Sequence, residues 1–325
     1  MALRSLLIAN AASGQGRTGR RAEDIARALR ARGLDIELGL TSSAGDAADA
    51  AARAIAAGCQ RIIVAGGDGT INSVVGVLAH APAALGIIPT GMANAFAREM
   101  GIPLAVGKAC DVAAGGYERT IDVGRAAGAA IPVSAGRHFA LMAGVGFDAD
   151  VVAHVHPWLK RATGPGAYVA AGIARLLRYR PARLCLRWDE GELTVEALML
   201  VAANTARYTY GWSMAPEARC DDGLLDVVVF GVRRRLDVPA HVAGVLIGRH
   251  GQHPAALSFR TRRVRVECDQ PLPLQVDGDL VGQGSGVGDH GSEITGQRSG
   301  PAAPPAAPLE IETIPGALRV LAPPV

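Results

Sequence analysis

The chain divides near residue 125 into two parts with different patterns of apolar and polar positions. In the first part, short apolar runs typical of buried strands alternate with segments whose apolar residues recur every three to four positions, as in amphipathic helices. Strands are predicted at Leu3–Ala9, Leu34–Leu40, Arg61–Ala65 and Leu85–Ile88, and helices at Arg17–Arg32, Asp46–Ala57, Asn72–Ala79 and Ala93–Met100. Because helices separate the strands, residues 1–125 are predicted to form a Rossmann-like α/β domain with a parallel sheet covered on both faces.

Residues 126–308 consist mostly of strand-like segments with few helices between them. The predicted strands are Phe139–Val145, Arg183–Trp188, Leu193–Ala202, Leu225–Phe230, Arg263–Cys268 and Leu274–Val276, and the predicted helices are Gly166–Arg178 and Leu236–Ile247. This pattern favours a second, mainly antiparallel β domain. Residues 282–308 are rich in Gly, Ser and Pro, so we expect a flexible insert there. Residues 309–321 regain apolar character and are expected to form a closing strand or hairpin.

Composition excludes several classes of protein. The 325 residues are 49% hydrophobic and 19% charged, which describes a globular chain of about two domains. A net charge of +3 is too small to indicate nucleic-acid binding. Gly107-Lys108 is followed by Ala109, so the signature of an ordinary P-loop is absent. Five widely spaced cysteines and an N-terminus unlike a signal peptide favour a cytoplasmic protein without a disulfide framework or a zinc ribbon.

The strongest chemical signal is Gly66-Gly67-Asp68-Gly69-Thr70, which lies between a predicted strand and a predicted helix. Ligands of parallel sheets bind beyond the carboxyl ends of the strands. Glycines let backbone N–H groups approach a phosphate, and the helix N-terminus that follows favours negative charge. A carboxylate at Asp68 suits this place if a divalent cation or its water shell lies between it and the phosphates. The alternative is a tight turn that uses Gly and Asp for backbone freedom.

Two further segments bear on nucleotide binding. Leu85–Arg98 repeats the order of strand, turn and helix, so its helix start is predicted to face the same cleft. Gly14-x-Gly16-x-x-Gly19 matches the dinucleotide fingerprint, but Asn10 to Ser13 separate its first glycine from the predicted strand end. The spacing therefore favours a loop that adds phosphate or nucleobase contacts over a nicotinamide site, with a plain loop as the alternative.

Taken together, these segments resemble the diacylglycerol kinase catalytic family, the bacterial lipid kinases related to diacylglycerol and sphingosine kinases. The resemblance rests on GGDGTINSVV from Gly66 and LGIIPTGMANAFAREMGIP from Leu85. It continues in order through GVGFDA at 144–149, APEARCDDGLLD at 215–226, QVDGD at 275–279 and IPGALRV at 314–320. The glycine-aspartate loop alone is shared with NAD kinases and phosphofructokinases, whereas the ordered set is specific to the lipid kinases. It covers nearly the whole chain apart from residues 282–308.

The resemblance implies an ATP-binding α/β domain, a β-sandwich-like second domain and an active site in the cleft between them. It also implies that residues 309–325 return to the first domain. The family's nucleotide contacts fall on Asn10, Ser13, Gly14, Thr41, Gly66, Gly67, Asp68, Gly69, Thr70, Asn72, Gly91, Met92 and Asn94. Its structural magnesium site falls on Asp222, through the side chain, and on Arg219 and Leu224, through their backbone carbonyls.

The implied reaction is an ATP- and magnesium-dependent transfer of the γ-phosphate to a hydroxyl of diacylglycerol or a related lipid. Such a hydroxyl must lose its proton as it attacks, so a carboxylate base is needed near the attacking oxygen. Asp279 falls at the position of the family's catalytic glutamate, two residues after Asp277. Asp279, together with Asp277, is therefore predicted to act as the base. Asp68 is predicted to organise magnesium and its water. The rest of the catalysis is positioning and charge neutralisation. From turn chemistry alone, residues 277–279 and 221–223 are also compatible with acidic β-turns.

Three residues depart from the family pattern and keep other functions open. Met92 replaces a usual threonine, Ala95 replaces a common aspartate or histidine, and Asp279 is one methylene shorter than the usual glutamate. One alternative is therefore a catalytically decayed protein that binds nucleotide or lipid without turnover. Another is an NAD kinase-like enzyme, which shares the glycine-aspartate loop.

The expected partners are ATP and a lipid substrate at a membrane surface, with no nucleic acid. The predicted helix Gly166–Arg178 carries Tyr168 and Ile173 among arginines, so it is compatible with membrane contact as well as with ordinary core packing. We expect a cytoplasmic protein peripheral to the inner face of the membrane. The sequence leaves a homodimer open.

Overall fold

The computed structural model describes residues 4–10, 17–128, 131, 136–154, 172, 175, 179–207, 213–234, 236–246, 251, 253–281 and 308–324. The predicted helix Gly166–Arg178 lies outside these residues except at positions 172 and 175. The predicted insert 282–308 lies outside them except at its last residue.

The first part of the chain folds into a parallel sheet with helices between its strands. Strands β1 (Arg4–Asn10), β2 (Asp35–Thr41), β3 (Arg61–Gly66) and β4 (Ala84–Pro89) lie in the order β2-β1-β3-β4. The helices are α1 (Arg17–Arg30), α2 (Ala44–Ala56), α3 (Asp68–Leu78), α4 (Ala95–Glu99) and α5 (Val106–Gly115). Strands β3 and β4 are buried along almost their whole length, as expected for strands covered on both faces.

Local sequence explains where two of these helices begin. A capping box starts α2, because the Ser43 hydroxyl accepts the Asp46 N–H at 3.1 Å and the Asp46 carboxylate accepts the Ser43 N–H at 3.0 Å. Helix α3 begins at Asp68, one turn before the predicted Asn72, because the glycine loop runs straight into the helix. Helix α5 has no counterpart among the predicted elements.

The second part of the chain is mainly antiparallel. Its strands are β5 (Tyr117–Gly128), β6 (Arg137–Phe139), β7 (Met142–Gly146), β8 (Ala182–Trp188), β9 (Gly191–Ala203), β10 (Leu225–Gly231), β11 (Ala256–Thr261), β12 (Arg263–Cys268), β13 (Leu274–Val276) and β14 (Asp279–Val281). Among the described residues, the helices α6 (Phe147–His154) and α7 (Asp237–Leu246) accompany them. The single strand predicted at Phe139–Val145 is interrupted between β6 and β7. The expected boundary at residue 125 falls inside β5.

The last strand, β15 (Leu309–Ala322), joins the two parts. It pairs antiparallel with β12 and with β5, and parallel with β4 at Val320 and Leu85. The register shifts between Ile314 and Leu318, where Pro315-Gly316 interrupts the pairing. The predicted closing segment is therefore one strand rather than a hairpin, and it makes the sheet continuous.

Three apolar clusters account for the burial. The first packs the helices of the parallel part against its sheet and contains Phe96. The second lies among the antiparallel strands and contains Phe139. The third lies under α6 and α7 and contains Phe230. A parallel α/β part followed by a mainly antiparallel part confirms the predicted fold class. None of the helices within the described segments reaches the length and apolarity that a membrane span requires.

Candidate active site

The carboxyl ends of the parallel strands gather several of the predicted nucleotide contacts at one edge of the sheet. Asn10 ends β1 and pairs in register with Thr41, which ends β2, and Gly66 ends β3. The Asn10 side-chain amide donates to Thr70 Oγ1 at 3.2 Å. Thr41 is buried, and its hydroxyl oxygen has no hydrogen-bond partner among the described residues. A ligand at this edge would satisfy that hydroxyl. Ser13 and Gly14 lie outside the described residues.

The loop Gly66–Thr70 leads into the N-terminus of α3. Gly67 is the N-cap residue of α3, and as a glycine it has no side chain to cap the first N–H groups of the helix. Uncapped N–H groups at a helix start are suited to an anion such as phosphate. An alanine Cβ at Gly66 would lie 2.7 Å from Thr70 Cβ, so the tight return of the chain requires glycine.

A second loop packs directly on the first. An alanine Cβ at Gly91 would lie 2.5 Å from Gly67 Cα, and the Thr90 N–H donates to Gly66 O at 3.0 Å. Asn94 has a left-handed backbone (φ +49°), and its side chain accepts the Gly91 N–H at 3.0 Å and donates to Gly91 O at 2.9 Å. Asn94 therefore braces the turn before α4. Met92 is exposed beside it.

Asp68 connects the two loops through its side chain. Its Oδ1 accepts the Phe96 N–H at 3.0 Å, in the first turn of α4. One carboxylate oxygen thus satisfies a helix-start donor that would otherwise lack an intrahelical partner. This contact gives Asp68 a role in fixing the relative position of α3 and α4, which the sequence did not indicate.

The Asp277-Gly278 turn brings a carboxylate from the second part of the chain to this edge. Both turn residues have positive φ (+49° and +86°), which is the type I′ geometry that Asp-Gly favours between two antiparallel strands. Asp279 is the first residue of β14 and pairs with Val276. An alanine Cβ at Gly69 would lie 3.7 Å from Asp279 Oδ2 and 3.8 Å from Oδ1. The structure therefore brings Asp279 and the predicted phosphate loop together.

Asp277 is engaged with backbone rather than with the cleft. Its carboxylate accepts N–H groups from Ala140 (2.8 Å), Leu141 (2.9 Å) and Met142 (2.9 Å), and these contacts explain why β6 and β7 are separate strands. The pKa of Asp277 is raised to about 7. Burial is the largest cause, the three N–H donors oppose it, and the nearby Asp68 carboxylate adds to it.

Asn72 meets Asp277 across the junction of the two parts. With its amide oriented so that the nitrogen faces acceptors, Asn72 donates to His138 O at 3.1 Å and to Asp277 Oδ2 at 3.2 Å. Asn72 is buried on α3. The predicted nucleotide contact at Asn72 therefore also holds the second part of the chain against the first.

The residues predicted to hold structural magnesium form a turn whose charge is already balanced. Asp222 Oδ1 accepts the Leu224 N–H at 3.0 Å, and Oδ2 pairs with the Arg260 guanidinium. The Arg219 side chain pairs with Asp221 at 3.3 Å. In the described part of the chain, no group of three or more His, Cys, Asp or Glu side chains could hold a metal ion. Both Asp222 oxygens have a partner in this arrangement, so a magnesium ion bound through Asp222 would compete with Arg260 for the carboxylate.

The sequence did not single out a buried polar hub beside this turn. Asp122 on β5 is buried and accepts the Gly223 N–H and the Gly316 N–H, each at 2.7 Å. Asn204 is also buried and donates to Asp122 O at 3.0 Å and to Ala140 O at 2.9 Å. The available signal was an aspartate between the apolar residues Ile121 and Val123, but β5 itself was not predicted. The hub ties β5, β15 and the 221–224 turn together.

Two family models match successive parts of the chain. Residues 4–126 match the diacylglycerol kinase catalytic domain, and residues 141–322 match the YegS C-terminal NAD kinase beta sandwich-like domain. The phosphate loop and Asp68 lie in the first match, and Asp277 and Asp279 lie in the second.

Known proteins resemble the chain over most of its length. A diacylglycerol kinase of Mycobacterium tuberculosis is 31% identical over 320 residues, which is 97% of this chain and 94% of the relative. A probable lipid kinase YegS-like protein of Pseudomonas fluorescens is 33% identical over 258 residues, 78% of this chain and 81% of the relative. A solved structure of a putative diacylglycerol kinase from Bacillus anthracis superposes with a TM-score of 0.77 at 21% identity, covering 99% of this chain and 96% of that one.

Proposed function

Because the chain belongs to the diacylglycerol kinase catalytic-domain family, we propose that it transfers the γ-phosphate of ATP to a hydroxyl of diacylglycerol or a related membrane lipid. The observation that carries this proposal is the proximity of the Asp279 carboxylate to Gly69. A phosphotransferase needs a carboxylate near the transferred phosphoryl group, and here one from the second part of the chain meets a glycine loop of the first.

The nucleotide is proposed to lie along the carboxyl edge of the parallel sheet. Three features support this site: the uncapped start of α3 at Gly67, the Gly91 turn packed against it, and the buried hydroxyl of Thr41. Backbone N–H groups of the loop and the α3 N-terminus would neutralise phosphate charge. Magnesium is proposed to arrive with ATP and to supply positive charge between its phosphates.

Asp279 is proposed to act as the base. As the lipid hydroxyl oxygen bonds to the γ-phosphorus, its proton passes to the Asp279 carboxylate, and the bond from phosphorus to the bridging oxygen of ADP breaks. Asp277 is proposed to position Asp279 rather than to take the proton, because three backbone N–H groups occupy its carboxylate. Asp68 is proposed to hold the phosphate loop in place, since Oδ1 accepts the Phe96 N–H, with the other oxygen facing the magnesium water shell.

The acceptor is proposed to be a lipid presented at the inner surface of the membrane. This part of the proposal rests on the relatives, which are named diacylglycerol kinase or probable lipid kinase. An acceptor that stays in the bilayer requires the enzyme to work as a peripheral protein, with its cleft turned to the headgroup region.

The proposal is tested by offering labelled ATP to the purified protein with diacylglycerol and other hydroxyl lipids in mixed micelles, and separately with NAD. Label in a lipid, and none in NAD, is the expected result. Label in NAD would establish the NAD kinase alternative. Saturable ATP binding without label in any acceptor would establish a binding protein that does not turn over.

A further inference from the structure

We propose that Gln275 and Asp148 are positioning residues that hold the Asp277-Gly278 turn, and with it Asp279, at the phosphate loop. Both would act through the turn, which Gln275 contacts at Gly278. The inference rests on the proposed role of Asp279 as base, and it extends that role to two residues outside the predicted site.

The proposal rests on two short hydrogen bonds that connect Asp148, Gln275 and Gly278. Gln275 Nε2 donates to Asp148 Oδ2 at 2.7 Å, and the Gly278 N–H donates to Gln275 Oε1 at 2.7 Å. Gln275 is fully buried and Asp148 is 8% exposed. Buried bonds of this kind are strengthened by the low local dielectric and are costly to leave unmade.

Asp148 decides which way the Gln275 amide points. An ionised carboxylate can only accept hydrogen bonds, so it selects the NH2 end of the amide. The carbonyl oxygen of Gln275 must then face the turn, where the Gly278 N–H needs an acceptor. Without the carboxylate, only the Gly278 N–H would hold the amide in this orientation.

The backbone leaves space for the Gln275 and Asp148 side chains where β13 pairs with β7. Gln275 on β13 pairs in register with Gly144 on β7, and Asp148 lies in the first turn of α6, directly after β7. An alanine Cβ at Gly144 would lie 2.4 Å from Asp148 Oδ2 and 2.7 Å from Gln275 Nε2. In the GVGFDA segment, Gly144 thus leaves the space that the Asp148 side chain occupies. This gives the segment a structural role that does not involve the nucleotide.

The turn is held from two sides, and Asp279 depends on both. The Asp277 carboxylate binds the 140–142 backbone, and Gln275 binds the Gly278 N–H. Loss of one attachment lets a two-residue turn rotate about the other. A displacement of about 1 Å at a reacting group costs roughly 100-fold in rate, so the effect should fall on kcat.

Gln275→Glu is the informative variant because it replaces the amide with a second ionisable carboxyl of the same shape. When that carboxyl holds a proton, it can donate to Asp148 and accept from Gly278 as glutamine does. When it is ionised, it faces the Asp148 carboxylate and repels it. We expect kcat about 10- to 100-fold below wild type at neutral pH and an unchanged KM for ATP. As the pH falls, the kcat of the variant should approach that of wild type.

The matched controls are Gln270→Glu, the same change at an exposed position, and Gln275→Met, which should lose activity equally at every pH. Asp148→Asn, with the milder change in shape, should lower kcat and speed hydrogen exchange at the Gly278 amide. If Gln275→Glu does not fold, Asp148→Asn carries the test. Three results would each overturn the proposal. The first is a wild-type kcat in Gln275→Glu, and the second is a ratio of its kcat to that of wild type that does not change with pH. The third is unchanged hydrogen exchange at the Gly278 amide in Asp148→Asn.

The exchange measurement needs no turnover and therefore separates this inference from the proposed function. A protein that phosphorylates no lipid refutes the kinase proposal, while slow exchange at Gly278 that depends on Gln275 still supports the attachment. Conversely, a kinase whose Gly278 amide exchanges equally in wild type and in Gln275→Met refutes the attachment alone.

Discussion

Gly67 and Gly91 pack backbone against backbone: an alanine Cβ at Gly91 would lie 2.5 Å from Gly67 Cα, which leaves no room for it, and one at Gly67 would lie 3.2 Å from Gly91 Cα, a tight contact. The two loops that are proposed to hold the phosphates therefore share one backbone contact. Their spacing depends on the absence of side chains at these two positions, together with the hydrogen bonds from the Thr90 N–H to Gly66 O and from the Phe96 N–H to Asp68 Oδ1.

Gly91→Ala is expected to push the loops apart and to weaken ATP binding about tenfold or more, with a smaller loss of stability. Isothermal titration with ATP and thermal unfolding measure the two effects. Gly107→Ala is the control, because nothing lies within 4 Å of its new Cβ and alanine favours the helix α5. ATP affinity equal to wild type in Gly91→Ala would show that the nucleotide does not depend on this contact.

The buried carboxyl of Asp277 should make stability depend on pH. Its pKa is about 7 in the folded protein, raised chiefly by burial from an ordinary value of 3.8. Between these values the folded state keeps the proton that the unfolded state has lost, so this group destabilises the fold as the pH rises from about 4 to about 7. Asp277→Asn cannot titrate, and its free energy of unfolding relative to wild type should increase with pH across that window.

Urea unfolding at a series of pH values measures this difference. Glu190→Gln, a change at an exposed acid, should show no such trend. A constant difference between Asp277→Asn and wild type from pH 4 to 7 would mean that the carboxyl titrates normally in the fold.

Asp122 should contribute to stability by satisfying two backbone N–H groups at once. Asp122→Asn turns one acceptor into a donor that faces either Gly223 or Gly316, and leaving a buried N–H unsatisfied costs about 1–3 kcal/mol. Chemical unfolding should therefore show a loss of that order, whereas Asp189→Asn at an exposed position should stay close to wild type. Stability equal to wild type would indicate that the hub is not needed to join β5 and β15.

The 221–224 turn should be insensitive to metal removal in the protein without nucleotide. Arg260 already pairs with Asp222, so adding EDTA or magnesium should leave the Tm unchanged. Arg260→Gln should lower the Tm slightly, because partly exposed ion pairs contribute about 0.2–1 kcal/mol. A clear rise of the wild-type Tm with magnesium would show that the cation displaces Arg260.

Local patterns in the sequence were sufficient for the parallel part of the fold and for the position of the glycine loop between β3 and α3. Strands β1, β3 and β4 are short apolar runs, β2 alternates polar and apolar residues, and the loop at Gly66–Thr70 begins where β3 ends, so each is visible within a window of a few residues. The position of Asp279 followed from the family motif and not from any local pattern.

Contacts between distant residues explain what the sequence did not reveal. The break between β6 and β7 depends on Asp277, which lies more than 130 positions away along the chain. The pairing of Asp222 with Arg260 and the attachment of Gln275 to Asp148 are likewise set by the tertiary fold. Periodicity describes which face of an element is buried, but it does not identify the partner of a buried polar group.

The most direct test of the central claim is the rate of phosphoryl transfer from labelled ATP to diacylglycerol in Asp279→Asn, measured beside Asp279→Glu. Removing a general base costs about 10²- to 10⁴-fold, so Asp279→Asn should lose transfer by that factor while it still binds ATP. Asp279→Glu restores the residue usual in the family at this position and should keep activity. Transfer at the wild-type rate by Asp279→Asn would contradict the account, because the carboxylate beside Gly69 would then have no part in the reaction.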